Sequence, residues 1–120
     1  MKLSAASVEM LRKVVEFDPQ NGAYLDSLGW AYFKSGQYAL AEENLRKAAA
    51  RTGTDPAVLD HLGEVYEKNG KLKLAVQEWQ KSLAEYATSL PPEADPADVA
   101  HVERKLDSAR VKLAHLGTTK

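Results

Sequence analysis

Apolar residues recur three and four positions apart through most of this chain, and the pattern is itself repeated. From Ala23 to Gly36 the sequence reads AYLDSLGWAYFKSG, with Leu25, Leu28 and Tyr32 on one helical face. From Ala57 to Gly70 it reads AVLDHLGEVYEKNG, with Leu59, Leu62 and Tyr66 in the same places. The offset is 34, and Asp26 and Asp60, Gly29 and Gly63, Lys34 and Lys68, Gly36 and Gly70 all obey it. So do Ala41 and Ala75, Leu45 and Trp79, Lys47 and Lys81. Carried backwards, the offset places Leu11 before Leu45 and Val14 before Ala48. One register therefore runs from about Ser7 to about Ser82. Self-similarity at such a period marks a repeated supersecondary unit.

Each unit reads as a pair of helices. The first pair is predicted at 23–35 and 38–50, with Gly36 ending the first helix where a left-handed residue is wanted. Leu40, Ala41, Leu45 and Ala48 are expected to face inward from the second helix. The next pair opens on Asp55-Pro56, a cap followed by a proline suited to the first helical position. Its helices are predicted to run to Asn69 and from Leu72 to about Ala87, with Leu74, Ala75, Trp79 and Leu83 inward. Gly29 and Gly63 sit mid-helix, where glycine costs about 1 kcal/mol in propensity. Its return at the same register implies that close packing demands it.

Residues 4–17 form one more predicted helix, with Leu11, Val14 and Val15 apolar, followed by a turn at 18–21. Leu90-Pro91-Pro92-Glu93-Ala94 breaks the rhythm, because consecutive prolines cannot continue a helix. Asp95-Pro96 then repeats the cap-and-proline device. The last predicted helix, 97–116, carries Val99, Val102, Leu106, Ala109, Leu113 and Leu116 on one stripe. Its opposite face is expected to hold Glu103, Arg104, Lys105, Asp107, Arg110 and Lys112. The expected organisation is a single domain over 1–120: a half repeat at 4–21, repeats at 22–55 and 56–89, and a capping helix at 95–116.

Composition narrows the function more than the fold. The formal charge is −1, so no global basic field suggests nucleic acid or an anionic membrane. There is no cysteine, which excludes disulfides and thiolate metal sites. No apolar run approaches the roughly 20 residues that a membrane span requires. The chain reads as soluble, and nothing in it chooses between cytoplasm and periplasm.

Catalytic patterns are missing. His61, His101 and His115 lack the short spacing of metal ligands on one helix. No serine sits in a Gly-x-Ser-x-Gly turn, and Thr52-Gly53-Thr54 lacks the lysine of a phosphate loop. Asp26, Asp60, Glu64 and Glu67 read as a helix face rather than as an acid–base pair. The expectation is a non-enzymatic protein without cofactor or metal.

With its 34-residue period, Leu28-Gly29 and Leu62-Gly63, Tyr32 and Tyr66, and Ala41 and Ala75, the chain resembles the tetratricopeptide repeat family. The resemblance covers about Ser7 to Ala87. It departs from the family pattern at Leu25 and Leu59, where an aromatic is usual, and at Gly53 and Ala87, where the family places proline. It implies an all-α helix-pair solenoid of about six helices, closed by a C-terminal capping helix. It also implies a scaffold for protein–protein interaction that holds a peptide or a partner helix in a concave groove lined by the first helix of each unit. By register that wall comprises Asp26, Trp30, Phe33, Lys34, Asp60, Glu64, Glu67 and Lys68, flanked by Ala23 and Ala57. Family members that clamp a terminal carboxylate do so with basic and amide residues at these places. Asp26, Asp60 and Glu64 stand here instead, which suits a basic or apolar segment. The lone first helix adds an alternative. The chain reads either as the C-terminal part of a longer bacterial repeat protein, or as a self-associating piece that buries this helix in a homodimer.

Overall fold

A computed structural model describes residues 5–53, 55–88 and 95–118. The described residues form six helices and no strand: α1 (Ala5–Phe17), α2 (Gly22–Lys34), α3 (Tyr38–Thr52), α4 (Pro56–Lys68), α5 (Leu72–Thr88) and α6 (Pro96–Thr118). They divide into two compact units, Met1–Gly53 with α1 to α3 and Thr54–Lys120 with α4 to α6. The predicted loop 90–94 lies outside the described residues, as does the predicted helix start at Ser4.

The helix ends follow from local chemistry. Asn21 Oδ1 accepts from the Tyr24 amide at 3.1 Å, Asp55 Oδ1 from Ala57 at 3.0 Å, and Asp95 Oδ1 from Ala97 at 2.9 Å. Each such cap satisfies an amide left over by the first turn and is worth about 1 kcal/mol. The C-termini of α2 and α4 share one motif. Gly36 donates to the Phe33 carbonyl and Gln37 to Tyr32, while Gly70 donates to Glu67 and Lys71 to Tyr66. This six-to-one closure needs a left-handed residue, and Gly36 and Gly70 stand at φ +83° and +76°.

In unit 1, α2 packs against both α3 and α1. Leu25, Leu28, Ala31 and Tyr32 of α2 are buried with Ala41, Leu45 and Ala48 of α3, and Val8 comes in from α1. In unit 2, α5 packs against both α4 and α6. Leu59, Leu62 and Tyr66 repeat the α2 seam, and Ala75, Trp79 and Ser82 repeat the α3 seam. Val102, Leu106 and Ala109 of α6 complete that core.

The recurring glycines mark where two helices touch. A Cβ built on Gly29 would lie 2.7 Å from Leu45 Cγ, and one on Gly63 would lie 2.6 Å from Trp79 Nε1. Both distances are well inside van der Waals contact, so the repeated propensity cost is offset by closer packing.

Several expectations of facing are corrected. Leu40 and Leu74 are each 39% exposed rather than inward. They precede Ala41 and Ala75 by one residue, and so stand about 100° round the helix from a seam narrowed by alanine. Leu83 is only half-buried, and Ser82 takes the seam position with its Oγ donating to the Pro56 carbonyl at 2.8 Å. The α6 stripe ends at Leu113, and Leu116 is exposed. In α1 it is Val8 that is buried, while Val14 stands at 36% exposure. Finally, Lys105 is not on the outer back of α6 but turns toward α4.

Candidate functional site

The two first helices present the same framework and different outer residues. On α2, Trp30 and Phe33 stack face to face, with ring centroids 4.7 Å apart and planes within 10°. Their separation of three residues brings them to one helix face. Tyr38, at the start of α3, adds a tilted contact with Phe33 at 5.5 Å. Lys34 lays its ammonium 5.0 Å from the Trp30 centroid and 6.0 Å from that of Phe33. A cation held over aromatic faces at an exposed site gains about 0.5–1 kcal/mol. Both rings are half-buried, and Asp26 lies one turn before Trp30 on the same helix. The arrangement is a flat aromatic patch with one positive charge at its edge.

On α4 the corresponding positions are Glu64 and Glu67, and here the chain supplies its own partners. Lys105 of α6 donates to Asp60 at 2.9 and 3.1 Å and pairs with Glu64. Lys112 pairs with Glu67 at 3.3 Å. Both hydrogen-bonded pairs are 45 residues apart, so α6 meets α4 in a single register. Asp60 has a further role, since its Oδ1 accepts from the indole of fully buried Trp79 at 2.9 Å. One carboxylate therefore ties α4, α5 and α6 together.

Burial acts against the charge on Lys105, but hydrogen bonds to Glu64 and Asp60, with the attraction of both carboxylates, hold its ammonium above the ordinary lysine range. Tyr86 of α5 is also pushed up, first by burial and then by Asp98, Asp60 and Asp55.

Of the eight residues expected on the wall, Trp30, Phe33 and Lys34 come together on α2, and Asp60, Glu64 and Glu67 come together with α6. Lys68 is exposed at the end of α4. The lysines of α6 were missed from sequence because their offset of 45 bears no relation to the repeat. The one available signal was the spacing of seven between Lys105 and Lys112, matching the seven between Asp60 and Glu67. Among the described residues no group of His, Asp and Glu could hold a metal ion, and no helix is long and apolar enough to cross a membrane.

Comparison with solved structures places the fold. The type III secretion translocator chaperone SycD of Yersinia enterocolitica aligns over 91% of this chain and 73% of its own, with TM-score 0.82 and 19% identity. PcrH, bound to the chaperone-binding region of PopD, aligns over 89% and 78%, with TM-score 0.80 and 19% identity; PcrH is a Pseudomonas aeruginosa protein. The tetratricopeptide domain of Sgt2 from Aspergillus fumigatus aligns over 93% and 69%, with TM-score 0.79 and 19% identity. No curated protein matches the sequence significantly. The tetratricopeptide repeat family matches residues 23–53, the stretch holding α2 and α3. The chain thus carries a tetratricopeptide repeat in unit 1, and its all-α fold is of the tetratricopeptide type.

Proposed function

We propose that this protein is a non-catalytic interaction scaffold, and that the aromatic face of α2 receives an apolar segment of a partner protein. The observation that carries the reading is the half-exposed stack of Trp30 on Phe33, edged by Lys34. Large rings held rigid before contact lose little entropy on binding, and tryptophan is enriched at interface hot spots. The fold gives support by analogy, since PcrH takes the chaperone-binding region of PopD and SycD takes a peptide of YopD. An apolar partner is preferred to a basic one, because Asp60, Glu64 and Glu67 are already paired with lysines of α6. Asp26 and Lys34 would then set orientation at the edge of the patch.

The repeat supplies the test variant. Trp30→Glu with Phe33→Glu installs the residues that α4 carries at the same register. Proteins retained from an extract by the immobilised chain should be lost from this variant, with affinity down about tenfold or more. Equal retention by both proteins rejects the reading.

A second reading rests on its own observation. Met10, Val14 and Phe17 of α1 are 69%, 36% and 90% exposed and share one helix face by their spacing. Two copies joined through α1 would cover this stripe. Sedimentation of the chain beside Phe17→Glu decides the matter: a dimer that the substitution dissociates supports self-association, and a monomer at every concentration removes it.

A further inference from the structure

Unit 1 carries a polar group that its own packing leaves unused, away from the aromatic face of α2. Tyr32 is only 7% exposed, and its hydroxyl has no hydrogen-bond partner among the described residues. Among those residues no side-chain oxygen is both fully buried and unpartnered, so this hydroxyl opens onto the surface that Tyr32 lines. That surface is an open cleft of about 490 Å³ between the first half of α1, the end of α2 and the start of α3. Polar groups on residues this buried are ordinarily paired within the fold. This one keeps both a donor and an acceptor for whatever enters the cleft.

The rest of the cleft is ordered and carries no net charge. Arg12 and Glu9 of α1 pair with each other at 3.2 Å. Ser35 Oγ donates to the Tyr32 carbonyl at 3.0 Å and accepts from Gln37 Nε2 at 3.2 Å. Gln37 Oε1 remains as an acceptor on the same cleft. Val8, buried, and Leu40, at 39% exposure, supply its apolar surface. The offset of 34 returns Glu43 and Arg46 for Glu9 and Arg12, but Glu42 for Val8 and Lys71 for Gln37. At the two positions that change character, the cleft is neutral where the repeat is charged. Helical spacing puts Val8, Glu9 and Arg12 on the side of α1 away from Met10, Val14 and Phe17, so the cleft and that stripe are separate.

We propose that this cleft binds a neutral, extended peptide segment of a partner protein, through one backbone amide and one aliphatic side chain. A peptide amide is the neutral group that donates and accepts at once. Its carbonyl accepts from the Tyr32 hydroxyl, and its N–H donates to Gln37 Oε1. The aliphatic side chain covers Leu40 and Val8. A charged ligand is disfavoured, because it meets one member of the Arg12–Glu9 pair as a like charge. An open cleft suits a chain that passes across it, whereas small-molecule sites bury most of their ligand.

Titration of the full, isotope-labelled chain with acetyl-Ala-Leu-Ala-amide, followed by NMR, tests the proposal. Saturable shifts are expected at the amides of Val8, Tyr32, Gln37 and Leu40. Tyr32→Phe removes the hydroxyl alone and should weaken binding about fivefold. It should leave the melting midpoint in place, because no internal hydrogen bond is lost. Leu40→Ser, at an exposed position, should weaken binding as well. Trp30→Glu with Phe33→Glu should leave this binding unchanged, which separates failure here from failure of the α2 reading. The proposal is overturned if those amides do not shift, or if Tyr32→Phe binds the probe as tightly as the unsubstituted chain. A lowered midpoint in Tyr32→Phe overturns it too, since the hydroxyl would then serve the fold. So does equal binding of acetyl-Ala-Ser-Ala-amide, or tighter binding of the probe with a free terminal carboxylate.

Discussion

Helices α2 and α4 are near-copies with opposite fates. Both bury two leucines and a tyrosine at the same register, press a glycine against a partner helix, and close on a left-handed glycine. Among the positions where they differ, Trp30 and Phe33 become Glu64 and Glu67. On α4 the carboxylates are drawn into the fold, because α6 brings Lys105 and Lys112 to them. On α2 the rings stack on each other and stay half-exposed. One scaffold thus supports an internal electrostatic seam in one unit and an aromatic patch in the other. The repeated apolar residues are spent on packing, and Trp30, Phe33, Glu64 and Glu67, which escape repetition, are where the units diverge.

The largest expected effect breaks the seam of unit 2 at its centre. Trp79 is fully buried, contacts Gly63 and donates to Asp60. Trp79→Ala should cost about 3–5 kcal/mol, as aromatic truncations in cores do. An unchanged thermal midpoint would refute that placement. Leu45→Ala, at the matching site of unit 1, should cost less within the range of about 2–5 kcal/mol, since it removes a smaller side chain and no hydrogen bond.

Next comes Lys105→Gln, which leaves Asp60 and Glu64 facing each other without their cation. A loss of about 1–3 kcal/mol is expected in chemical denaturation, because hydrogen-bonded groups with little exposure lose a charged partner. The alkaline limb sharpens the point. A group whose pKa is raised by folding contributes stability that is present below its unfolded value and lost as pH climbs through the folded one. Lys105 and Tyr86 are both raised, so stability should fall above the ordinary range of lysine and tyrosine. Lys105→Gln should flatten that fall only in part, since Tyr86 remains. A limb unchanged by the substitution would show that Lys105 does not couple to folding.

The glycines test the likeness of the two seams. Gly63→Ala should destabilise by about 1–3 kcal/mol, because the indole it meets is fixed by Asp60. Gly29→Ala meets the aliphatic side chain of Leu45, which no hydrogen bond fixes, so its net cost should be smaller. Equal melting shifts would mean that the hydrogen bond to Asp60 does not hold the indole in place. The smallest effect belongs to Lys112→Ala. Its pair with Glu67 is largely exposed, so under about 1 kcal/mol is expected, vanishing in high salt. A salt-insensitive loss above that would mean α6 is held to α4 more tightly than its exposure suggests.

Much of this was legible in the chain. The offset of 34 predicted four helices, their glycine stops and the close contacts at Gly29 and Gly63, because each depends on residues within one unit. Capping by Asp55 and Asp95 was legible for the same reason, since an aspartate reaches only the amides beside it. The facing of Leu40, Leu74 and Lys105 was not, because periodicity gives the direction of a stripe but not its width. The width is set by how closely the neighbouring helix approaches.

The sequence alone therefore determined the units, their helices and the packing positions, since local hydrogen bonding and a strict repeat leave few alternatives. Only the tertiary structure decided which outer charges are free to act outward. Lys105 and Lys112 lie 45 residues from the carboxylates they neutralise. A contact of that kind depends on how α6 settles on α5, and the shared spacing of seven along the chain does not fix the register it takes.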